Sequence, residues 1–348
     1  MTSPETRLTT ILDRYAARPD TGQVTFALSR PSTDWSFSYG GDDQYFAASI
    51  SKLYITAVIL QLRGEGLIAL DEPIKSYLGD DLVDGLHTLR GTDHSGNITV
   101  RHLLSHTSGI AGYFDEKRRG ANSLYEDVLR EDRAVSFDEA VRVAKEELAP
   151  HFPPGTPGKA FYSDTNFQLL GRIIELVTGS PVEDAVVDRI VAPLGLNGSW
   201  PFTPADIPRY GAVAPILNGR AVIHIPRMMA SARAQGGMVS TARDGIAFLR
   251  AFLTGQLFPA ADLEEMRDWN RIFFPLQYGT GLMRYSMSRL LSVGSGPREF
   301  IGHSGSTGSF LFYAPSADLY LSGTVNQIQK RALVYQLGIR LAGVAAKA

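Results

Sequence analysis

One stretch of the chain leaves its fold little freedom. Lys52 is followed by Leu53, Tyr54, Ile55, Ala57, Val58, Ile59, Leu60 and Leu62, interrupted by Thr56 and Gln61. At helical periodicity these residues cover most of the circumference. The helix must therefore be enclosed by protein rather than laid on a surface. The run falls short of the roughly 18 apolar residues of a membrane span. It needs a core deep enough to surround it, and a chain of 348 residues can supply one as a large domain or as two lobes. The same helix begins with a lysine. A cation in the first turn of an enclosed helix is costly unless a partner or a chemical task accounts for it.

Strand-like alternation is concentrated at the two ends of the chain. It occurs early at 23–30 and 35–40, and late at 298–305, 309–315 and 319–326. Pro-Ser-Ala-Asp joins the last two and predicts an antiparallel hairpin. A helix opened by Ser3 and Pro4, with Leu8, Ile11, Leu12 and Tyr15 on one face, precedes the first pair. Another, over about 329–346, closes the chain, and helical spacing also marks 137–149 and 166–179. The pattern predicts an α+β fold, with one antiparallel sheet built from both ends of the chain, flanked by helices, and an all-helical lobe inserted between the halves. The expected division is 1–75 together with 235–348 for the sheet domain and 76–234 for the helical lobe, with the site in the cleft between them.

Composition removes several classes of function. The formal net charge is −2, which offers no basic field to nucleic acid. The absence of cysteine excludes disulfides, thiolate nucleophiles and cysteine metal sites. His102 and His106 stand at a spacing that can hold zinc, yet no His-Glu-x-x-His pattern and no third ligand accompany them. No metal and no cofactor is expected. Gly-His-Ser-Gly-Ser at 302–306 has serine where a nucleophile elbow needs glycine. Gly236 and Gly237 lack the strand and helix of a nucleotide fingerprint. The first residues lack the basic segment and apolar core of a signal peptide, so a cytoplasmic protein without a membrane partner is expected. The oligomeric state stays open.

What is left for Lys52 is chemistry at Ser49. Residues three apart share a helix face, and a serine at the head of a helix sits near the positive end of its dipole. A neutral lysine one turn on can take the serine proton if its pKa falls from about 10.4 towards roughly 7–8. None of the other six lysines has a serine three places before it. Two further stretches follow in order: Phe-Tyr-Ser-Asp-Thr-Asn at 161–166 and Ile-Gly-His-Ser-Gly-Ser-Thr-Gly at 301–308, with Leu-Leu-Ser-His-Thr-Ser-Gly at 103–109 between the first motif and the second. With these motifs the chain resembles, over about residues 8–340, the serine hydrolases related to class C β-lactamases, D-alanyl-D-alanine carboxypeptidases and family VIII carboxylesterases, also called penicillin-recognising enzymes.

The resemblance implies a β-lactamase/transpeptidase-like fold and an acyl-enzyme. The family's Ser-x-x-Lys falls on Ser49 and Lys52, its Tyr-x-Asn on Tyr162, Ser163 and Asp164, and its Lys-Thr-Gly on His303, Ser304 and Gly305. It implies that Ser49 attacks, that Lys52 and Tyr162 share the proton traffic, and that the backbone N–H groups of Ser49 and Ser306 form the oxyanion hole. Asp164, His303, Ser304 and Gly305 are the implied substrate contacts. Tyr113 and Phe114 are expected at the cleft rim or in packing. The implied substrates are small esters or peptide-like amides, as for a carboxylesterase or a D-amino-acid-type peptidase. An acylated sensor without turnover and a β-lactamase are the alternatives. The chain departs from the family twice. Asp164 replaces an amide that can donate with a carboxylate that accepts, and its pairing with Lys52 is expected to raise the lysine pKa and shift the base role towards Tyr162. His303 replaces a permanent cation, which disfavours the β-lactamase branch.

Overall fold

The computed structural model describes residues 2–287 and 296–348. Helix α1 (Pro4–Ala16) starts where the Ser3 hydroxyl accepts the Thr6 N–H at 3.3 Å, with proline in its first turn. It leads into strands β1 (Thr25–Arg30) and β2 (Trp35–Tyr39). Helix α2 (Ser51–Gly64) follows, then a long and mostly helical stretch that contains α3 (Asp164–Thr178), then α4 (Ala242–Leu253). Six strands come next: β3 (Asn270–Phe273), β4 (Leu276–Tyr278), β5 (Met283–Ser286), β6 (Glu299–Gly305), β7 (Ser309–Ala314) and β8 (Leu319–Thr324). Helix α5 (Ala332–Ala345) closes the chain.

The eight strands form one sheet in the order β3-β4-β5-β6-β7-β8-β1-β2, every neighbouring pair antiparallel. Pairing of β8 with β1, Thr324 opposite Thr25, joins the two ends of the chain within the sheet. This is the α+β architecture that the alternation at both ends predicts. Strands β3, β4 and β5 are an addition to it. Each has only three or four residues, too few for a period of two to stand out. The helix expected over 137–149 is α-helical at Phe137–Arg142 and widens to a π-helical turn at Val143–Glu147.

Helices cover both faces of the sheet. On one face Leu8, Leu12, Leu337 and Leu341 of α1 and α5 pack on Phe26, Leu28, Phe310 and Phe312. On the other face α4 lies close, because Gly245 has no side chain to collide with the Ser322 hydroxyl. Beneath α4 runs α2, buried from Ser51 through Leu60 and again at Leu62, so it is enclosed as its composition requires. Tyr54 of α2 stacks on Phe248 of α4, with ring centroids 3.7 Å apart and planes 6° from parallel. Phe248 is fully buried. Phe248→Ala should cost about 3–5 kcal/mol through lost packing and a residual cavity, read as a lower urea midpoint with an unchanged slope.

Candidate active site

The turn that carries Ser49 is held in a strained shape by its neighbours. Short strand Tyr45–Phe46 pairs with Met238–Ser240 and runs into Ala48, whose φ is +48°. A residue with a Cβ pays of order 1–3 kcal/mol to stay in such a region. Three hydroxyls fix it. Ser51 Oγ donates to Ala48 O at 2.7 Å and accepts the Met238 N–H at 3.0 Å. Thr307 Oγ1 donates to Phe46 O, and Ser309 Oγ to Ala47 O, each at 2.7 Å. The turn and the end of β6 are thus tied together by side chains that follow the third motif.

Lys52 is fully buried, and its Nζ donates to three oxygens. These are Ser49 Oγ at 3.1 Å, Asp164 Oδ1 at 2.7 Å and the Gln235 carbonyl at 2.8 Å. The faces of Tyr162 and Phe167 flank the amine at 5.1 and 5.4 Å. Asp164 is the first residue of α3, where the helix dipole favours a carboxylate. The ion pair expected at this departure is therefore formed. Its expected effect on the lysine is present but is not the largest. Burial pushes the Lys52 pKa down, and Asp164, then Asp115, push it up less, so the net direction is down.

Tyr162 responds in the opposite sense. Burial first, then the Asp164 charge, holds its hydroxyl well above the ordinary tyrosine range, while a hydrogen bond with Ser49 acts the other way. His106 positions it from behind, with ring centroids 4.4 Å apart. The Ser163 N–H donates to His106 Nδ1 at 3.2 Å, and the Asn166 amide lies 3.1 Å from the same nitrogen. That places the imidazole proton on Nε2, and burial keeps the ring neutral. His102 is elsewhere employed: its Nδ1 accepts the Thr99 N–H at 3.2 Å and caps its own helix.

The third motif is arranged differently from expectation. His303 is fully buried. Its Nδ1–H donates to the Ser304 carbonyl at 2.7 Å, so Nε2 accepts the Tyr278 hydroxyl at 3.0 Å. Burial, then the Lys52 charge, lowers its pKa to about 3. It is a neutral brace behind Tyr162, with ring centroids 6.3 Å apart. Strand alternation turns its neighbour Ser304 to the cavity instead, where the Ser304 hydroxyl bonds that of Tyr335.

Ser49, Tyr162, Asp164, Ser304, Gly305, Ser306 and Phe114 line one cavity of ≈560 Å³. Tyr113 does not join them: it is fully buried, with its hydroxyl accepting from Gln168 Nε2 at 3.3 Å. Asp115, Arg331 and Tyr335 also line the cavity, and Tyr278 braces it. No local motif marks these four, although Asp115 follows the rim aromatic Phe114 directly. Burial and the Asp164 charge push the Asp115 carboxyl up to about 6, against the pull of Arg331 and Lys52.

Sheet, enclosed helix and this cluster of serine, lysine and tyrosine define a β-lactamase-type fold. The chain matches the Beta-lactamase family over residues 15–340 and belongs to it. It is similar to penicillin-binding protein 4 of Amycolatopsis lactamdurans, 29% identical over 224 residues, which are 63% of this chain and 53% of that protein. It is similar to esterase EstB of Burkholderia gladioli, 30% identical over 176 residues, 49% of this chain and 41% of that protein. The chain spans about half the length of these curated relatives in the matched region. Among solved structures, a D-stereospecific amidohydrolase from Streptomyces sp. aligns with a TM-score of 0.72 at 30% identity, over 93% of this chain and 95% of that one. No helix among the described residues is long and apolar enough to cross a membrane.

Gly305 is where the third motif meets the serine turn. A Cβ there would collide with the Ala47 carbonyl and the Ser309 hydroxyl and would lie 3.0 Å from Ala48 Cβ. Gly305→Ala should push β6 off the turn. A displacement on the ångström scale at a reacting centre costs on the order of 100-fold, to be read as kcat/KM on an ester, with circular dichroism unchanged.

Proposed function

We propose that the protein is a serine hydrolase that cleaves small esters or peptide-like amides through an acyl-enzyme on Ser49. The observation that carries this reading is a fully buried lysine amine 3.1 Å from a serine hydroxyl, with two other oxygens already in place for its N–H groups. The charged amine donates to all three oxygens; once it has lost a proton it has two N–H groups and one lone pair. Asp164 and the Gln235 carbonyl use the first two, and the lone pair is left for the serine proton.

The reaction then follows. The Ser49 Oγ–carbon bond forms as the serine proton passes to Lys52 Nζ. The carbonyl oxygen becomes an oxyanion between the N–H groups of Ser49 and Ser306, fixed dipoles that need no reorganisation. Collapse breaks the bond to the leaving oxygen or nitrogen. That atom takes a proton from Tyr162, which stays protonated because its pKa is raised, and Lys52 returns the proton to Tyr162. Water, in the place the alcohol or amine has left, attacks the acyl-enzyme by the same relay in reverse, releasing the carboxylic acid and restoring the Ser49 hydroxyl. Tyr162 is here the acid and Lys52 the base, which is the division their opposed pKa shifts favour. The substrate class has its support in the relatives, of which one is named an esterase and another a D-stereospecific amidohydrolase.

Ser49→Ala should lose turnover of p-nitrophenyl esters and covalent labelling by a fluorophosphonate. Its stability should change by only about 0.5–1.5 kcal/mol, the worth of one hydrogen bond. Labelling that persists in the variant would refute the nucleophile. Asp164→Asn removes the larger of two negative influences on Lys52, and Asp115→Asn removes the smaller. Both influences raise the lysine pKa, so removing either lowers it. The acidic limb of kcat/KM should move to lower pH in both variants, and further in Asp164→Asn. An acidic limb unmoved in both would show that Lys52 is not the base.

A further inference from the structure

Three rings stand around the Tyr162 phenol, and one of them touches the other two. His106 lies 4.4 Å from the Tyr162 ring, Tyr278 6.0 Å and His303 6.3 Å, centroid to centroid. Tyr278, the last residue of β4, also meets both histidines edge to face, at 4.5 Å from His106 and 5.5 Å from His303. It is fully buried, it does not line the cavity, and no step of the reaction above uses it.

Its place is fixed by ties to the reacting groups. The turn that follows Tyr278 closes where the Gly279 N–H donates to Leu282 O at 2.9 Å. From the same turn the Gly281 N–H donates at 2.9 Å to the carbonyl of Leu104, close before His106 in sequence. Thr56 Oγ1, a helical turn past Lys52 in α2, is shared between the Lys52 carbonyl at 2.8 Å and the Gly281 carbonyl at 3.3 Å. The turn is thus joined both to the helix of the base and to the segment that carries the histidine behind the acid.

The hydroxyl of Tyr278 does what its ring alone cannot. A carbonyl only accepts, so His303 carries its proton on Nδ1 to reach Ser304 O, and Nε2 is left with a lone pair. Tyr278 donates to that lone pair at 3.0 Å, the only donor to it among the described residues. Without the hydroxyl, Nε2 would be a buried acceptor with no partner, and only a turn of the ring or an admitted water would relieve it. Either change would disturb a ring that stands against Tyr162. We propose that Tyr278 is a positioning residue for the acid: its hydroxyl locks His303 in one tautomer and one orientation, and His303 in turn holds the Tyr162 phenol aligned on the leaving group. This rests on the acyl-enzyme reading above, in which Tyr162 is the acid, and adds to it a residue that acts on departure of the leaving group alone.

Leaving groups separate this role from a structural one. p-Nitrophenolate departs as the anion, whereas a benzyl alkoxide needs a proton as it departs. With p-nitrophenyl, phenyl and benzyl acetate, kcat/KM reports formation of one and the same acyl-enzyme. A positioned acid supplies about 100- to 10,000-fold, so Tyr278→Phe, which keeps the ring, should lower benzyl acetate roughly tenfold more than p-nitrophenyl acetate. Tyr162→Phe should show a larger imbalance of the same sense. The imbalance in the double variant Tyr278→Phe/His303→Leu should not exceed that in His303→Leu, because with both partners gone no lone pair is left unpaired. In the wild type, ¹⁵N shifts of the His303 ring, assigned by their loss in His303→Leu, should show Nδ1 protonated and Nε2 bare at neutral pH. An Nε2–H tautomer there overturns the proposal, and that measurement does not need Tyr278→Phe to fold. An equal loss on all three esters in Tyr278→Phe overturns it too, as does an imbalance that adds to that of His303→Leu. In each of these cases an imbalance in Tyr162→Phe leaves the acid reading standing. An equal loss on all three esters in Tyr162→Phe overturns both.

Discussion

The amine of Lys52 is the point to which the site is built. An ammonium taken out of water costs several kcal/mol even after relaxation, and three oxygens from distant parts of the chain offset that cost. One belongs to Ser49 in the turn just before α2, one to Asp164 at the head of α3, and one to the Gln235 carbonyl before α4. The lysine thus ties together the elements that form the cavity wall around the serine. It can do so only because α2 is enclosed by protein, which is what its apolar run demands.

Burial also sets the electrostatics of the neighbours, and in opposite senses. It favours the neutral form of every group, so Lys52 is pushed down, His303 and His106 are pushed down further from relevance to neutral pH, and Tyr162 is pushed up. An acid kept protonated beside a base drawn towards neutrality is the pairing that proton relay requires. The two histidines are left as neutral braces that fix the tyrosines by ring contact and hydrogen bond. A histidine in the third motif therefore does not substitute for a lysine as a cation facing the substrate.

Much of this was legible in the residues alone, and what was not has a physical reason. Ser49, Lys52, Tyr162 and Asp164 lie in short local motifs, so the Lys52–Asp164 pair could be anticipated across 112 residues of sequence. Strands β1, β2, β6, β7 and β8 run for five to seven residues, long enough to be recognised in the sequence. The orientation of His303 could not be anticipated. Alternation says that 303 and 304 face opposite ways, and only Tyr278 on β4 and Tyr335 on α5 decide which side is the cavity. The same holds for Tyr113 and Phe114, adjacent residues of which one is core and the other wall. Asp115, Arg331, Tyr278 and Tyr335 reach the site through long-range packing and have no motif of their own. The balance between burial and ion pairing at Lys52 is also three-dimensional. The pair was visible in the sequence and the depth of its burial was not.

That balance is what the account depends on, and it can be measured directly. Lysine labelled with ¹³C at Cε reports the charge of each amine by chemical shift. Lys52 is assigned by its disappearance in Lys52→Arg, and the protein is titrated by NMR. The account predicts a Lys52 midpoint below the ordinary lysine value of about 10.4, lowered further in Asp164→Asn. A midpoint at or above that ordinary value in the wild type would mean that the ion pair outweighs burial, and Lys52 would then be a fixed cation rather than the base that activates Ser49.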